Sequence, residues 1–331
     1  MSLAGTDGAG LNDAGMSVLC LCRMGRCGLF HALQIVVLLI GASSIGQAAD
    51  IRVLLSDDSA PYQEAYEAIR AGLQGLGHDI SPIDAGRLAA GELGSASLVV
   101  AVGVRATESM FNLSSRPPLL VILVPREWYL KSAQPELSRS TAKGVSAIYV
   151  DQPFDRQARL IRLAFPDAKR VGLVISAKRE ALVGKLQAEL RRQGLSLEHE
   201  AISTDRELIG SLERVLPSSD LLLALPDPIA FNRNTAQSVF LTSYRYRDPV
   251  LGYSSSLTRA GALLSLYSTP AQVGRQAADW IRKAGQGAAP SLPPASHPDY
   301  FSVSINSQVA RSLGIKLPAE AELVRELGGE P

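Results

Sequence analysis

The chain has 331 residues, 20% of them charged, and a formal net charge of +1. Charges of both signs are scattered along it, which excludes a basic nucleic-acid-binding face and a polyanionic substrate and favours a small ligand. Its length suffices for two domains of ordinary size, each burying its own core.

The first fifty residues stand apart from the rest. Arg23 and Arg26 precede an apolar stretch from Leu29 to Ile40, and small residues follow at Gly41 to Ser44 and Gly46 to Ala49. That order is the build of a secretory signal peptide. Gly46 and Ala48 fit the small-residue pockets of a signal peptidase, so the mature chain is expected to begin near Ala49 or Asp50. The apolar stretch is shorter than the about 20 residues a membrane-crossing helix needs, which favours removal over anchoring. Upstream of Met16 or Met24 the sequence fits neither signal nor domain, which makes either methionine a candidate start. Cys20, Cys22 and Cys27 all precede the apolar stretch. The mature protein is therefore expected to carry no disulfide, thiol nucleophile or lipid-attachment cysteine, and to be a soluble periplasmic protein.

Apolar strands then alternate with amphipathic helical stretches, the signature of βαβ units building a parallel sheet. Strands are predicted at Ile51–Ser56, Asp79–Ile83, Leu98–Gly103 and Leu119–Val124, with a helix over Pro61–Leu76 ended by Gly77. The last two strands are continuously apolar, as strands covered on both faces should be. After Val145–Val150 the order repeats. A helix over Phe154–Ala164 precedes strand Arg170–Ile175, helix Arg179–Gln193 and strand Leu195–Ile202. Helix Asp205–Val215, strand Asp220–Leu225, a helix from about Ile229 to Tyr244 and strand Val250–Tyr253 follow. A helix from Pro270 carries Val273, Ala277, Trp280 and Ile281 at helical spacing. A Pro- and Gly-rich stretch, strand Tyr300–Ile305 and helix Ser307–Leu313 complete the pattern. Two similar units in tandem predict an α/β protein of two doubly wound parallel-sheet lobes joined by hinge crossovers. Lobe 1 is expected over 50–146 plus about 268–300, and lobe 2 over 147–267 plus about 301–331. Hinges are expected near Ala147–Asp151, Tyr267–Pro270 and Phe301–Ile305.

Several segments, in order, resemble the ABC-transporter substrate-binding proteins related to tryptophan- and aromatic-amino-acid-binding receptors. They are Thr141-Ala-Lys-Gly-Val-Ser146, Phe165-Pro-Asp-Ala-Lys-Arg-Val-Gly-Leu-Val174, Leu225-Pro-Asp227, Ala260-Gly-Ala262, Gly274-Arg-Gln-Ala-Ala278, the Gly287 to Pro290 turn, and the closing run from Ile305 to Pro318. The resemblance spans nearly the whole mature chain. It implies a type I periplasmic-binding-protein fold whose lobes close on a ligand, and an ABC permease in the inner membrane as partner. Sheet geometry points the same way, because open α/β sheets bind ligands beyond the carboxyl ends of their strands.

Those strand ends supply the candidate site residues. Strand Leu98–Val102 runs into Gly103-Val-Arg-Ala-Thr107, where free N–H groups near Ala106, the Thr107 hydroxyl and Arg105 could receive a ligand carboxylate; the alternative is an ordinary strand–turn–helix with Arg105 in solvent. The family usually has threonine where this chain has Val104. Asp227, between two prolines, could pair with a ligand ammonium or serve as a helix cap. Ser56 and Tyr62 stand at the end of the first strand, Ser176 at the end of strand 170–175, Tyr253 and Ser254 after strand 250–253, and Asp151 by the crossover. Tyr62, Trp128 and Tyr253 are candidates for an aromatic wall, and Pro125-Arg-Glu-Trp-Tyr129 for a ligand-specificity loop.

Enzyme signatures are missing: no Gly-x-Ser-x-Gly elbow, P-loop or His-Glu-x-x-His occurs. His78, His199 and His297 lie far apart and read as surface residues, so no metal and no cofactor is expected. The leading expectation is a monomeric periplasmic receptor that captures an amino-acid-like small molecule for an importer. A binding-protein-like sensory module partnering a membrane sensor or receptor is the alternative, and an exported hydrolase on the same fold the weakest reading.

Overall fold

The computed structural model describes residues 49–88, 91–93, 96–113, 116–138, 144–284 and 291–330. The expected signal peptide, Cys20, Cys22, Cys27, Thr141 to Lys143 and the Gly287 to Pro290 turn lie outside these residues.

The first sheet contains β1 (Asp50–Leu55), β2 (Asp79–Asp84), β3 (Leu98–Val102), β4 (Leu119–Val124) and β5 (Val145–Tyr149), all parallel, in the order β2-β1-β3-β4-β5. β3 is wholly buried and β4 nearly so, because helices cover both faces of the sheet. One cover is α1 (Ala60–Gly72), which ends before the predicted Leu76 because the following turn needs positive φ at Gly75 and Gly77. A short helix, α2 (Val104–Glu108), follows β3. The predicted loop after β4 is helical: α3 (Arg126–Trp128) runs through a π-helical turn at Tyr129–Ala133 into α4 (Gln134–Ser138). Pro125 starts it, accepting a hydrogen bond from the Tyr129 N–H at 2.9 Å.

The second sheet contains β6 (Arg170–Ser176), β7 (Ser196–Ile202), β8 (Leu221–Leu223), β9 (Val250–Gly252), β10 (Leu264–Tyr267) and β11 (Ser302–Ile305). Their order is β11-β10-β9-β8-β6-β7, with only β11 antiparallel. Its helices are α5 (Phe154–Ala164), α6 (Val183–Arg192), α7 (Leu208–Val215), α8 (Ala236–Tyr246) and α9 (Ser255–Ala260). α8 starts later than the predicted Ile229. Asn232 accepts hydrogen bonds from the N–H groups of Asn234 and Thr235 and donates to the Pro228 carbonyl, holding the segment as a turn.

The chain crosses between the sheets three times. α10 (Pro270–Ala284) returns to the first sheet and buries Val273, Ala277, Ala278, Trp280 and Ile281 in its core. A Cβ on Gly274 would lie 2.4 Å from the Ala65 carbonyl oxygen, so glycine permits α10 and α1 to meet backbone to backbone. Ser296 then bridges to β5, and the chain passes back to β11, α11 (Ser307–Leu313) and α12 (Glu320–Glu326). Phe301 and Val303 lie in the second core with Leu323, Val324 and Leu327. Residues 301–305, expected as a hinge, therefore belong to the body of the second lobe, and the crossover falls just before them.

The three crossovers are tied together. The Gln152 amide donates to the Ser268 hydroxyl (2.8 Å), which donates to the Tyr300 carbonyl (2.5 Å). Arg156 donates to the Gln152 side-chain oxygen (2.7 Å) and the Pro298 carbonyl (2.9 Å), and stacks on Phe301. Each connection thus hydrogen-bonds another, which fixes the hinge as a unit.

Candidate ligand cleft

A cavity of about 1350 Å³ lies between the lobes. The first lobe contributes Arg126, Glu127 and Tyr149, the crossovers contribute 150–153, 268–269 and 295–297, and the second lobe contributes Arg179 with the ends of β8, β9 and β10. These are carboxyl ends of parallel strands, where backbone turns away from the sheet and side chains converge.

One corner is rich in uncommitted polar groups. The backbone N–H of Arg126 donates to one Asp151 carboxylate oxygen at 2.5 Å, which pins that side chain beside the start of α3. The other Asp151 oxygen has no partner among the described residues. Nor does the Arg126 guanidinium, whose charge lies close enough to Tyr149 and His297 to act on both. His297 Nδ1 sits 2.8 Å from the Asp151 carbonyl oxygen, and its ring meets Tyr149 edge-on at 5.4 Å. Because that carbonyl can only accept, Nδ1 carries the proton and Nε2 is left as an acceptor. Burial lowers the His297 pKa, which keeps the ring neutral at neutral pH. His297 is thus a cleft residue and not the surface residue its sequence context suggested.

At the mouth, Glu127 and Arg179 join the two lobes through an ion pair of 2.9 Å. Lys131 holds the second Glu127 oxygen at 2.7 Å. Burial alone would raise the Glu127 pKa, but the hydrogen bonds from Lys131 and Arg179 outweigh it and hold the carboxylate ionised. Arg179 also donates to the Pro226 carbonyl and lies 3.7 Å from Asp227.

Of the residues expected at the site, Asp151, Tyr253 and Ser254 line the cavity. The Tyr253 hydroxyl donates to the Phe231 carbonyl at 3.1 Å, and burial raises its pKa; Ser254 caps α9 through the Leu257 N–H. The others are committed to their own chain. Ser56 is 2% exposed, donates to the Val102 carbonyl and accepts from the Ala106 N–H at 3.0 Å. Thr107 is fully buried and donates to the Gly103 carbonyl at 2.8 Å. Gly103 has φ 91°, and a Cβ there would strike Ser56 and the Tyr62 ring. The turn at 103–107 is therefore closed by Ser56 and Tyr62, a correction to its reading as an open carboxylate receptor. Arg105 lies in solvent against Gly86, beside Asp84. Trp128 packs on the first lobe's core.

Asp227 and Ser176 form a second closed unit. Asp227 is 4% exposed, and its two oxygens accept from the Ser176 N–H and hydroxyl (3.0 and 2.8 Å) and the Ile229 and Ala230 N–H groups (2.9 and 2.8 Å). Burial raises its pKa, yet these donors prevail and lower it overall. With four donors in place, the carboxylate is a cap and not a free ligand for an ammonium group.

Two α/β lobes, three crossovers and a cleft between strand ends define a type I periplasmic-binding-protein fold. Residues 127–325 match the model of the family described as ABC transporter substrate binding protein. The chain belongs to that family, a family of solute-binding proteins. Among solved structures it is similar to a Streptococcus pneumoniae ABC domain in complex with L-Trp, with 19% identity, 85% of this chain and 100% of that one covered, and a TM-score of 0.56. A conserved domain protein from Vibrio cholerae matches at 17% identity, 86% and 100% coverage and a TM-score of 0.57. A substrate binding protein with adhesive properties from Clostridium difficile, in its ligand-free open form, matches at 17% identity, 82% and 97% coverage and a TM-score of 0.67. No curated protein matches the sequence.

Proposed function

We propose that this protein is the periplasmic solute-capturing component of an ABC importer, a monomer that closes on an amino-acid-like molecule and presents it to a permease in the inner membrane. The observation that carries the ligand class is the corner at Arg126 and Asp151. Arg126 and Asp151 both line the cavity, the Asp151 carboxylate is tied to the Arg126 backbone N–H at 2.5 Å, and the Arg126 guanidinium and the second Asp151 oxygen have no partner among the described residues. A zwitterion satisfies both at once: its carboxylate takes the bidentate fork of Arg126, and its ammonium donates to Asp151 and to His297 Nε2. Either half alone would leave one charged group of the cleft without a partner when water is expelled. The L-Trp bound to the similar pneumococcal domain supports the same class.

Closure then follows from the ligand touching both lobes, because only the closed form makes the full set of contacts. The test is a thermal-shift scan of the purified protein against amino acids, carboxylic acids without an amine, amines without a carboxylate, and nucleosides. Stabilisation by zwitterions, and not by either half-ligand, is the expected result, since anything that binds only the native state raises the melting temperature. Stabilisation by nucleosides alone would refute the ligand class. A folded protein that answers to no compound would move the assignment to the sensory module.

A further inference from the structure

β4 is interrupted one step before the cleft. Ile122 pairs with Ile148 of β5 and Val124 with Tyr149, so Leu123 is an extra residue in β4. The side chains show the same slip. Leu120 and Ile122 pack on the face of the sheet covered by α1 and α10, and Val121 and Val124 on the opposite face. Leu123 lies with Ile122, where strict alternation would place it with Val121. This bulge is held at φ 56°, a backbone angle that a bulky side chain rarely adopts.

Neither neighbouring strand is free to take up the slip. The Ile122 carbonyl accepts from the Gly103 N–H at 2.9 Å, which ties β4 to the end of β3. On the far edge of β5, the Tyr149 N–H donates to the Ser296 carbonyl (3.0 Å) and the Ser296 N–H to the Ala147 carbonyl (2.9 Å). Counted on from Val124 and Tyr149, the bulge sets Arg126 opposite Asp151, and the Arg126 N–H meets the Asp151 carboxylate at 2.5 Å. In an unbroken strand Leu123 would pair with Tyr149, and Pro125 would stand opposite Asp151. Proline has no N–H to give, so the carboxylate would lose that donor, and Arg126 would turn to the other face of the sheet.

We propose that Leu123 is a positioning residue: its bulge sets the register that joins Arg126 to Asp151 and so assembles the charged corner of the cleft. The proposal rests on the amino-acid reading of that corner for its function, and on the strand register alone for its geometry. Strain at a single residue persists only where the surrounding structure over-determines it, and such residues gather at binding sites. A bulge beside a site re-aims the residues that follow it.

The test compares Leu123→Val, whose branched Cβ resists positive φ, with Leu123→Gly, which accepts it freely. The first readout is the Arg126 amide in the nuclear magnetic resonance spectrum of the ligand-free, full-length mature protein, with Asp151→Ala marking the unbonded amide. The amide proton should be downfield and protected from exchange in wild type and in Leu123→Gly. In Leu123→Val it should move upfield and exchange faster, as in Asp151→Ala. The second readout is calorimetric titration with L-tryptophan, whose affinity should fall roughly tenfold to a hundredfold in Leu123→Val and be restored in Leu123→Gly. Melting shows whether each variant is folded. If Leu123→Val is not, Leu123→Gly against Leu123→Ala decides, because glycine gives the higher Tm at a positive-φ bulge and the lower Tm in a regular strand. An Arg126 amide unmoved in folded Leu123→Val, or displaced equally in Leu123→Gly, overturns the assignment. An amide that moves in Leu123→Val while L-tryptophan affinity holds leaves the Leu123 assignment standing and overturns the amino-acid reading of the corner. A wild type that does not bind L-tryptophan counts against that reading alone, and the amide then decides the role of Leu123.

Discussion

Asp151 and Asp227 stand at the cleft ends of different lobes, and each is a plausible partner for a ligand ammonium. Their surroundings separate them. Asp227 is 4% exposed and receives four hydrogen bonds from its own chain. Asp151, which lines the cavity, is half-buried and receives one, from the Arg126 N–H, and its second oxygen has no partner among the described residues. A carboxylate whose acceptor capacity is filled holds a scaffold together, while one left partly empty can still act on a ligand. The contrast is one of occupancy, since both residues lie where strands end.

The largest break in this comparison comes from Asp227→Ala. It orphans four donors beside a buried serine and removes the anion facing Arg179. A loss of about 3 kcal/mol or more is expected, read as a drop of roughly 6–12 °C in Tm. The fraction that stays folded should bind ligand with little change. Loss of affinity at an unchanged Tm would reverse the roles assigned to the two aspartates.

The opposite pattern is expected from Asp151→Asn and Arg126→Gln. Each removes a charge with no ion-pair partner among the described residues, so Tm should move by only a degree or two while amino-acid affinity falls roughly tenfold to a hundredfold. Titration calorimetry on the two variants checks this. The double variant should lose less than the sum, because one zwitterion bridges both groups.

A third carboxylate sharpens the contrast. Burial, with the nearby Asp220 charge adding to it, raises Asp248 to about 7, and one of its oxygens is buried without a partner. The folded chain therefore holds this proton to higher pH than the unfolded chain does. The contribution of this one group to stability is therefore greatest below pH 4 and declines as pH climbs from about 4 towards 7. Asp248→Asn should flatten that decline and raise Tm by several degrees at pH 8, with little effect at pH 4. A melting series across this range decides it; an unchanged slope would mean that another group titrates there.

Much of the fold was legible because it is written in burial. The apolar runs at β3 and β4 can be satisfied only by a sheet covered on both sides, and α5 and α11 keep to their predicted bounds. β10 was missed, since Leu264–Tyr267 is four residues long and owes its strand character to β9 and β11 on either side. The site was legible only in its general place. Sequence puts Ser56, Thr107 and Asp227 at strand ends, but it does not tell which backbone groups will claim their oxygens. Arg126 and Glu127 lay inside a segment singled out for ligand specificity, whereas His297 gave no local signal. It matters because a crossover distant in sequence carries it to the cavity beside Asp151.

The smallest effect concerns how far the lobes stay together without ligand. Glu127 and Arg179 span the mouth of the cleft, and both side chains are about three-quarters or more buried, at 25% and 18% exposure. A rim pair of this kind is worth about 1 kcal/mol at most and is screened by salt. Glu127→Gln should shift the ligand-free protein towards open forms, which lowers apparent affinity about twofold to fivefold through the smaller competent population. Small-angle scattering of the ligand-free variant should give a larger radius of gyration than wild type. Added salt should weaken binding by the wild type and leave the variant nearly unaffected, because screening removes the same contact that the substitution removes. If the variant instead bound more tightly at an unchanged radius, the pair would be competing with ligand for Arg179, and the latch would belong to the binding site and not to the hinge.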